Sequence, residues 1–220
     1  MRRAARSLRS LLATSVIAAA VCGSAQATPT GWARHVTNPW FPLKPGTTFV
    51  YTGEKDGQSG RDVVTVTNRT KVIDGVRCTA VDDRLSVHGR LAERTTDWYA
   101  QDARGSVWYF AEATAELDKA GKVTSREGTW QAGVDGARAG VFMPAHPKVG
   151  QSFRQEYLKG HAEDHFAIVQ LSGRSMLTKE WTPLEPDTLD HKLYKRGTGL
   201  VKEETVKGGN ERWTLEVVRH

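Results

Sequence analysis

A chain of 220 residues is long enough to bury one hydrophobic core without covalent staples. Its net charge of +6 comes from 31 Lys and Arg against 25 Asp and Glu, but Arg2, Arg3, Arg6 and Arg9 crowd into its first nine residues. Without residues 1–27 the balance is 27 basic against 25 acidic residues, or +2, dispersed with no basic run; that gives no support to a nucleic-acid partner.

The basic start, the apolar run from Leu11 to Val21 and the closing Ala25-Gln26-Ala27 have the order of a secretory signal peptide, cut after Ala27. The run is short of the roughly 20 residues a membrane-spanning helix needs. Cys22 invites a lipid-anchor reading, but Val21 stands where such signals carry a small residue. Arg2-Arg3 lacks the apolar residues that follow a twin-arginine pair. The expected organisation is a signal peptide over 1–27, an extended segment over 28–46 and a single β domain over 47–220. The mature protein is expected to be secreted or periplasmic, with no membrane span.

From Thr47 onward the chain alternates with period two. Phe49 and Tyr51 alternate with Thr48 and Val50, Val64 and Val66 with Thr65 and Thr67, and Trp213, Leu215 and Val217 with Arg212, Thr214 and Glu216. Such runs make half-buried strands. Turn pairs, among them Asp56-Gly57, Asp74-Gly75 and His88-Gly89, lie so close together that hairpins must join the strands. The pattern predicts an all-β fold with little helix: a single antiparallel meander sheet, strongly curled into an open or closed barrel, its apolar face turned in.

Cys78 is the only cysteine left after the signal. It shares a face with Val76 and Ala80 and reads as a small buried hydrophobe. Asp82 and Asp83 point to opposite faces, which is poor geometry for an acid/base pair. The pairs Trp98-Tyr99 and Trp108-Tyr109 flank the turn at Asp102–Gly105, each placing one ring on either side of the sheet. The inward rings belong to the core; the outward ones either cover the other face or form a stacking platform for a ligand. Glu112 to Lys119 reads as a polar hairpin arm, with a short helix as the alternative. Gly133 to Gly150, with Pro144 and Pro147, reads as a loop that splits the meander.

His161-Ala162-Glu163-Asp164-His165 is the densest cluster of donor groups. His161, Glu163, Asp164 and His165 are ligand types for zinc or copper, although on a strand the two imidazoles stand about 13 Å apart. A solvated polar turn is the competing reading, and the order is not that of a zinc protease. Pro183 and Pro186 exclude a central strand. Leu189, His191 and Leu193 share a strand face, so His191 is expected to point inward, either as a hydrogen-bonded core histidine or as a ligand contact. There is no nucleophile elbow, phosphate loop or dinucleotide fingerprint.

The stretch Asn38-Pro39-Trp40-Phe41-Pro42-Leu43-Lys44-Pro45-Gly46-Thr47-Thr48 resembles the opening of a broad group of secreted bacterial β proteins. Thr178-Lys179-Glu180-Trp181-Thr182-Pro183-Leu184-Glu185-Pro186 resembles a narrower, uncharacterised secreted family within it. Asp97 to Asp102, Gly105 to Phe110 and Gly197 to Val201 match the same group's later landmarks. The resemblance implies membership and brings no activity. Where that family carries an extra strand and turn, this chain has only Ser172 to Leu177, which leaves barrel closure on that side open.

Three functions remain. A non-catalytic binding protein for a small apolar or amphiphilic molecule stands first, with Trp98, Tyr99, Trp108, Tyr109 and His191 as candidate contacts. An interaction or inhibitor module acting through its loops stands second. A metal-binding protein or metal-dependent hydrolase, on His161, Glu163, Asp164 and His165, stands third.

Overall fold

The computed structural model describes residue 29 and residues 31–220. The expected signal peptide, its cleavage site and Cys22 lie outside the described residues.

The alternating runs form long strands: β1 (Thr48–Lys55), β2 (Gln58–Ile73), β3 (Val76–Val87), β4 (Arg90–Gln101) and β5 (Val107–Leu117). Asp56-Gly57, Asp74-Gly75 and His88-Gly89 link the first four, and both residues of each pair have positive φ. That is the mirror-image turn whose twist matches the flanking strands, and a β-branched residue could not adopt it cheaply. Glu112 falls within β5, so the polar-arm reading holds and the short helix does not form.

After β5 come β6 (Val123–Ser125), β7 (Trp130–Gln131) and β8 (Arg138–Met143). They share one edge of β5, at Glu116–Leu117, Ala111–Glu112 and Val107–Tyr109 respectively. The loop expected over Gly133–Gly150 therefore contains a strand. Its prolines and most of its glycines sit at the ends, and they obscure the short continuous apolar stretch Ala139 to Met143.

The second half comprises β9 (Ser152–Arg154), β10 (Glu156–Tyr157), β11 (His165–Leu171), β12 (Ser175–Trp181), β13 (Leu189–Lys195), β14 (Gly199–Lys207) and β15 (Arg212–Arg219). All pairs are antiparallel, and β15 lies against β1. The two ends of the sheet meet in one stretch of chain. β9 pairs with β11 and, one residue later, β10 pairs with β8. Residues 152–157 thereby bring the two edges together, and the barrel is nearly closed. At this seam Gly140 is required by close approach: a Cβ there would stand 2.2 Å from the Arg154 carbonyl oxygen. The short Ser172–Leu177 connection does not leave the sheet open. It is a tight hairpin held by Ser172 N–H donating to the Ser175 carbonyl at 2.8 Å.

The segment before β1 crosses one end of the barrel. Asn38, almost fully buried, donates through Nδ2 to the carbonyls of Gly105 (2.8 Å) and Pro144 (3.1 Å), and its Oδ1 accepts from Trp40 N–H. Gln101 Oε1 accepts the backbone N–H groups of Thr37 and Asn38. These bonds put Phe41 inside the barrel. Val76, Cys78 and Ala80 are buried as expected, and burial pushes the Cys78 thiol up to about 12.

The interior departs from expectation. Besides aromatic and aliphatic side chains, the barrel buries Asp83, Glu93, Asp97, Glu180, Asp190 and Lys192. The inward face is apolar in some strands and charged in others.

Candidate functional site

The barrel encloses a cavity of about 710 Å³, within the range of small-molecule sites. Its layers follow from the alternation of the strands that line it. Phe41, Tyr99, Tyr109 and Phe142 cluster at the end crossed by the N-terminal segment. Tyr99 and Tyr109 stack at 4.8 Å, and Phe142 meets Tyr99 edge-on at 4.9 Å. Two to three residues further along β4 and β5 come Asp97 and Glu112, then Thr95 and Thr114, then Glu93 and Glu116. From Tyr109 to Glu116 the wall is about 23 Å long at 3.3 Å per residue. The other end is rimmed by Glu127, His161, Glu185 and Asp187.

The carboxyl groups of the β2–β5 wall are held out of bulk water, and their protonation follows from that. Tyr109 Oη stands 2.6 Å from Asp97 Oδ1 and 3.0 Å from Glu112 Oε2. A phenol has one hydrogen to give. If it donates to Asp97, Glu112 must carry a proton and donate to the Tyr109 oxygen. Burial raises both acids accordingly, Asp97 to about 7 and Glu112 well above its ordinary range. Asp83 on β3 is likewise raised well above its ordinary range, by burial and by the facing carboxyl of Asp62 on β2. Asp62 Oδ1 and Asp83 Oδ2 are buried with no donor beyond a proton shared between the two carboxyls, and Thr182 Oγ1 across the cavity is buried without a hydrogen-bond partner.

The opposite wall holds one lysine between two glutamates. Lys192 Nζ lies 3.0 Å from Glu180 Oε2 and 3.5 Å from Glu203 Oε1. Glu180 Oε1 also accepts from Thr178 Oγ1 at 3.2 Å. Among the described residues, the only basic ones lining the cavity are Lys192 and the rim His161.

Of the residues expected to contact a ligand, Tyr99 and Tyr109 line the cavity and the other three do not. Trp98 is half-buried on the other face of the sheet, with Lys71 Nζ 4.9 Å from its ring. Trp108 is buried there; its Nε1–H donates to Asp102 Oδ2 at 3.0 Å, and Trp32 packs edge-on against it. His191 is a correction. The inward face of β13 is Asp190, Lys192 and Tyr194, and Leu189, His191 and Leu193 lie on the half-buried outer face. The apolar-in rule fails because Lys192 and Asp190 find charged or polar partners inside, Asp190 accepting from Thr205 Oγ1 at 2.8 Å.

The polar cluster near His161 divides. His161 and Asp164 line the cavity. Glu163 Oε1 accepts from Gly160 N–H at 2.8 Å, and its carbonyl accepts from His165 Nδ1 at 2.9 Å. That fixes the His165 tautomer, so Nε2 is the acceptor for Arg154 Nε at 3.2 Å. The ring also stacks on Trp181 at 5.6 Å. Burial and Arg154 lower its pKa, so the ring is neutral. Both of its nitrogens are engaged, and among the described residues no three His, Cys, Asp or Glu side chains are grouped to hold a metal ion.

The carboxyl wall was missed in the sequence. Its only signal was a period-two placement of acids, Asp83, Glu93, Asp97 and Glu112, on strands of otherwise clear alternation.

No protein-family model matches the chain, and no curated protein does. Among solved structures it is similar to a candidate lipoprotein from Parabacteroides distasonis. The identity is 12% and the TM-score 0.43, over 83% of this chain and 99% of the other. A likeness of that degree carries no argument about function.

Proposed function

We propose that this is an exported, non-catalytic binding protein that holds one small amphiphilic molecule inside its barrel. The observation that carries this reading is the partly open cavity of about 710 Å³ inside the barrel, with aromatic rings at one end and carboxyl groups along one wall. Ligand sites combine apolar surface for affinity with a few polar groups for orientation, and this interior has both. The export part of the proposal rests on the order of residues 1–27.

Native mass spectrometry of protein purified from its own host tests the reading. The expected spectrum shows an added mass of small-molecule size, lost when the protein is denatured, on a chain that begins at Thr28. A bare mass, together with failure to take up an apolar fluorescent probe that reports on the cavity, overturns it.

A further inference from the structure

Resting on the reading just given, the geometry points to a cation as the ligand's polar group. We propose that a protonated amine sits among Asp62, Asp83, Asp97 and Glu112, with the apolar part of the same molecule against the rings of Phe41, Tyr99 and Phe142.

Four observations carry this. First, carboxyl groups from four neighbouring strands, β2 to β5, line one wall of the cavity. Second, Asp83 is 2% exposed, and its Oδ2 and the Oδ1 of the facing Asp62 have no donor beyond a proton that the two carboxyls share. Buried carboxyl oxygens are rarely left so, because an acceptor out of water and short of donors is costly, more so when charged. An ammonium group supplies up to three donors and the compensating charge at once. Third, among the described residues this wall has no basic side chain of its own: Lys192 is engaged by Glu180 and Glu203 across the cavity. An anionic ligand would oppose ionisation of these carboxyls in a low-dielectric interior, and a neutral one would leave them holding their protons. Fourth, the carboxyl layer adjoins the aromatic cluster, and ring faces attract cations. The acidic rim of Glu127, Glu185 and Asp187 would further steer a cation inward.

A metal ion fits less well, since no three ligand groups come together among the described residues. An amine needs no such convergence. It also allows an exchange in which the carboxyls give up the protons they hold in the empty barrel as the cation arrives.

The test compares decylamine, decanol and decanoate, three ligands with one tail and different head groups. Calorimetry on the mature protein at neutral pH is expected to show decylamine binding at least tenfold tighter than decanol, with decanoate weakest. In Asp83→Asn, and separately in Asp97→Asn, the amine-to-alcohol ratio should fall towards one. Both changes keep the shape of the side chain and remove only ionisable groups, and a melting curve establishes that each variant is folded. Equal affinities for the three head groups, a preference for decanoate, or a ratio unmoved in both folded variants overturns the amine assignment while leaving the binding-protein reading intact. If none of the three binds and none displaces an apolar probe, the binding-protein reading fails, and the amine assignment with it.

Discussion

Asp97 shows how much a single side chain can be made to depend on its surroundings. Among the described residues it is faced by Tyr109 and Glu112 from β5, Asp62 from β2, Asp83 from β3 and Glu93 on its own strand, none of them basic. Burial raises it from 3.8 to about 7. The folded state therefore binds the proton more tightly than the unfolded chain does. The resulting stabilisation is complete below about pH 4 and is lost as pH rises through 7. The melting temperature should accordingly fall between pH 4 and pH 8, against the usual trend for paired carboxylates. Asp97→Asn should flatten that slope, and the difference between variant and parent is on the order of a few kcal/mol. A melting temperature that rises over this range in the parent, or an unchanged slope in the variant, contradicts the assignment. Tyr109 belongs to the same unit, because its one hydrogen ties Asp97 to a protonated Glu112.

At the scale of strands, hairpins were the most legible feature. Asp-Gly and His-Gly pairs demand positive φ at two successive positions, and few structures other than a tight hairpin meet that demand. The Trp-Tyr pairs were legible as pairs that straddle the sheet, since neighbours on a strand face opposite ways whatever surrounds them. Which side each face looks towards was less legible. On β13 the apolar residues Leu189 and Leu193 predicted an inward His191, yet Lys192 and Tyr194 point inward because Glu180 and Glu203 await them from neighbouring strands. Pairing across strands overrides a local pattern, and one strand read alone does not reveal its partners. β8 escaped for another reason, its proline- and glycine-rich flanks. Gly140 within it is a prediction in its own right. Gly140→Ala would press a methyl group against the Arg154–Gln155 backbone, and should cost about 3 kcal/mol or more. Gly173→Ala, with open space around it, should change the urea midpoint little. Equal midpoints for the two variants would show that the seam is looser than described.

For the molecule as a whole, the curled antiparallel sheet was readable, because the turns came too often for any other connection. The charged interior was not. Acids on the solvated face of a half-buried strand and acids facing an internal cavity share the same period of two. Only the curl of the complete sheet decides between them, and curl is a property of all the strands together. Asp83 and Asp97 could equally have faced water in a flat sheet. The N-terminal segment has the same character: Phe41 joins the cavity only because Asn38 and Gln101, from distant parts of the chain, hold it there.

The stretch 152–157 acts as the clasp of a hoop. The long staves β1 to β4 are each gripped by the same two neighbours, whereas this stretch lets go of β11 and takes hold of β8 within the space of Gln155. A hoop breathes first at its clasp. Deuterium should therefore reach the amides of Phe153 and Glu156 well before those of Val64, Val81 and Thr96, and any guest too bulky for the rim would find its widest doorway there.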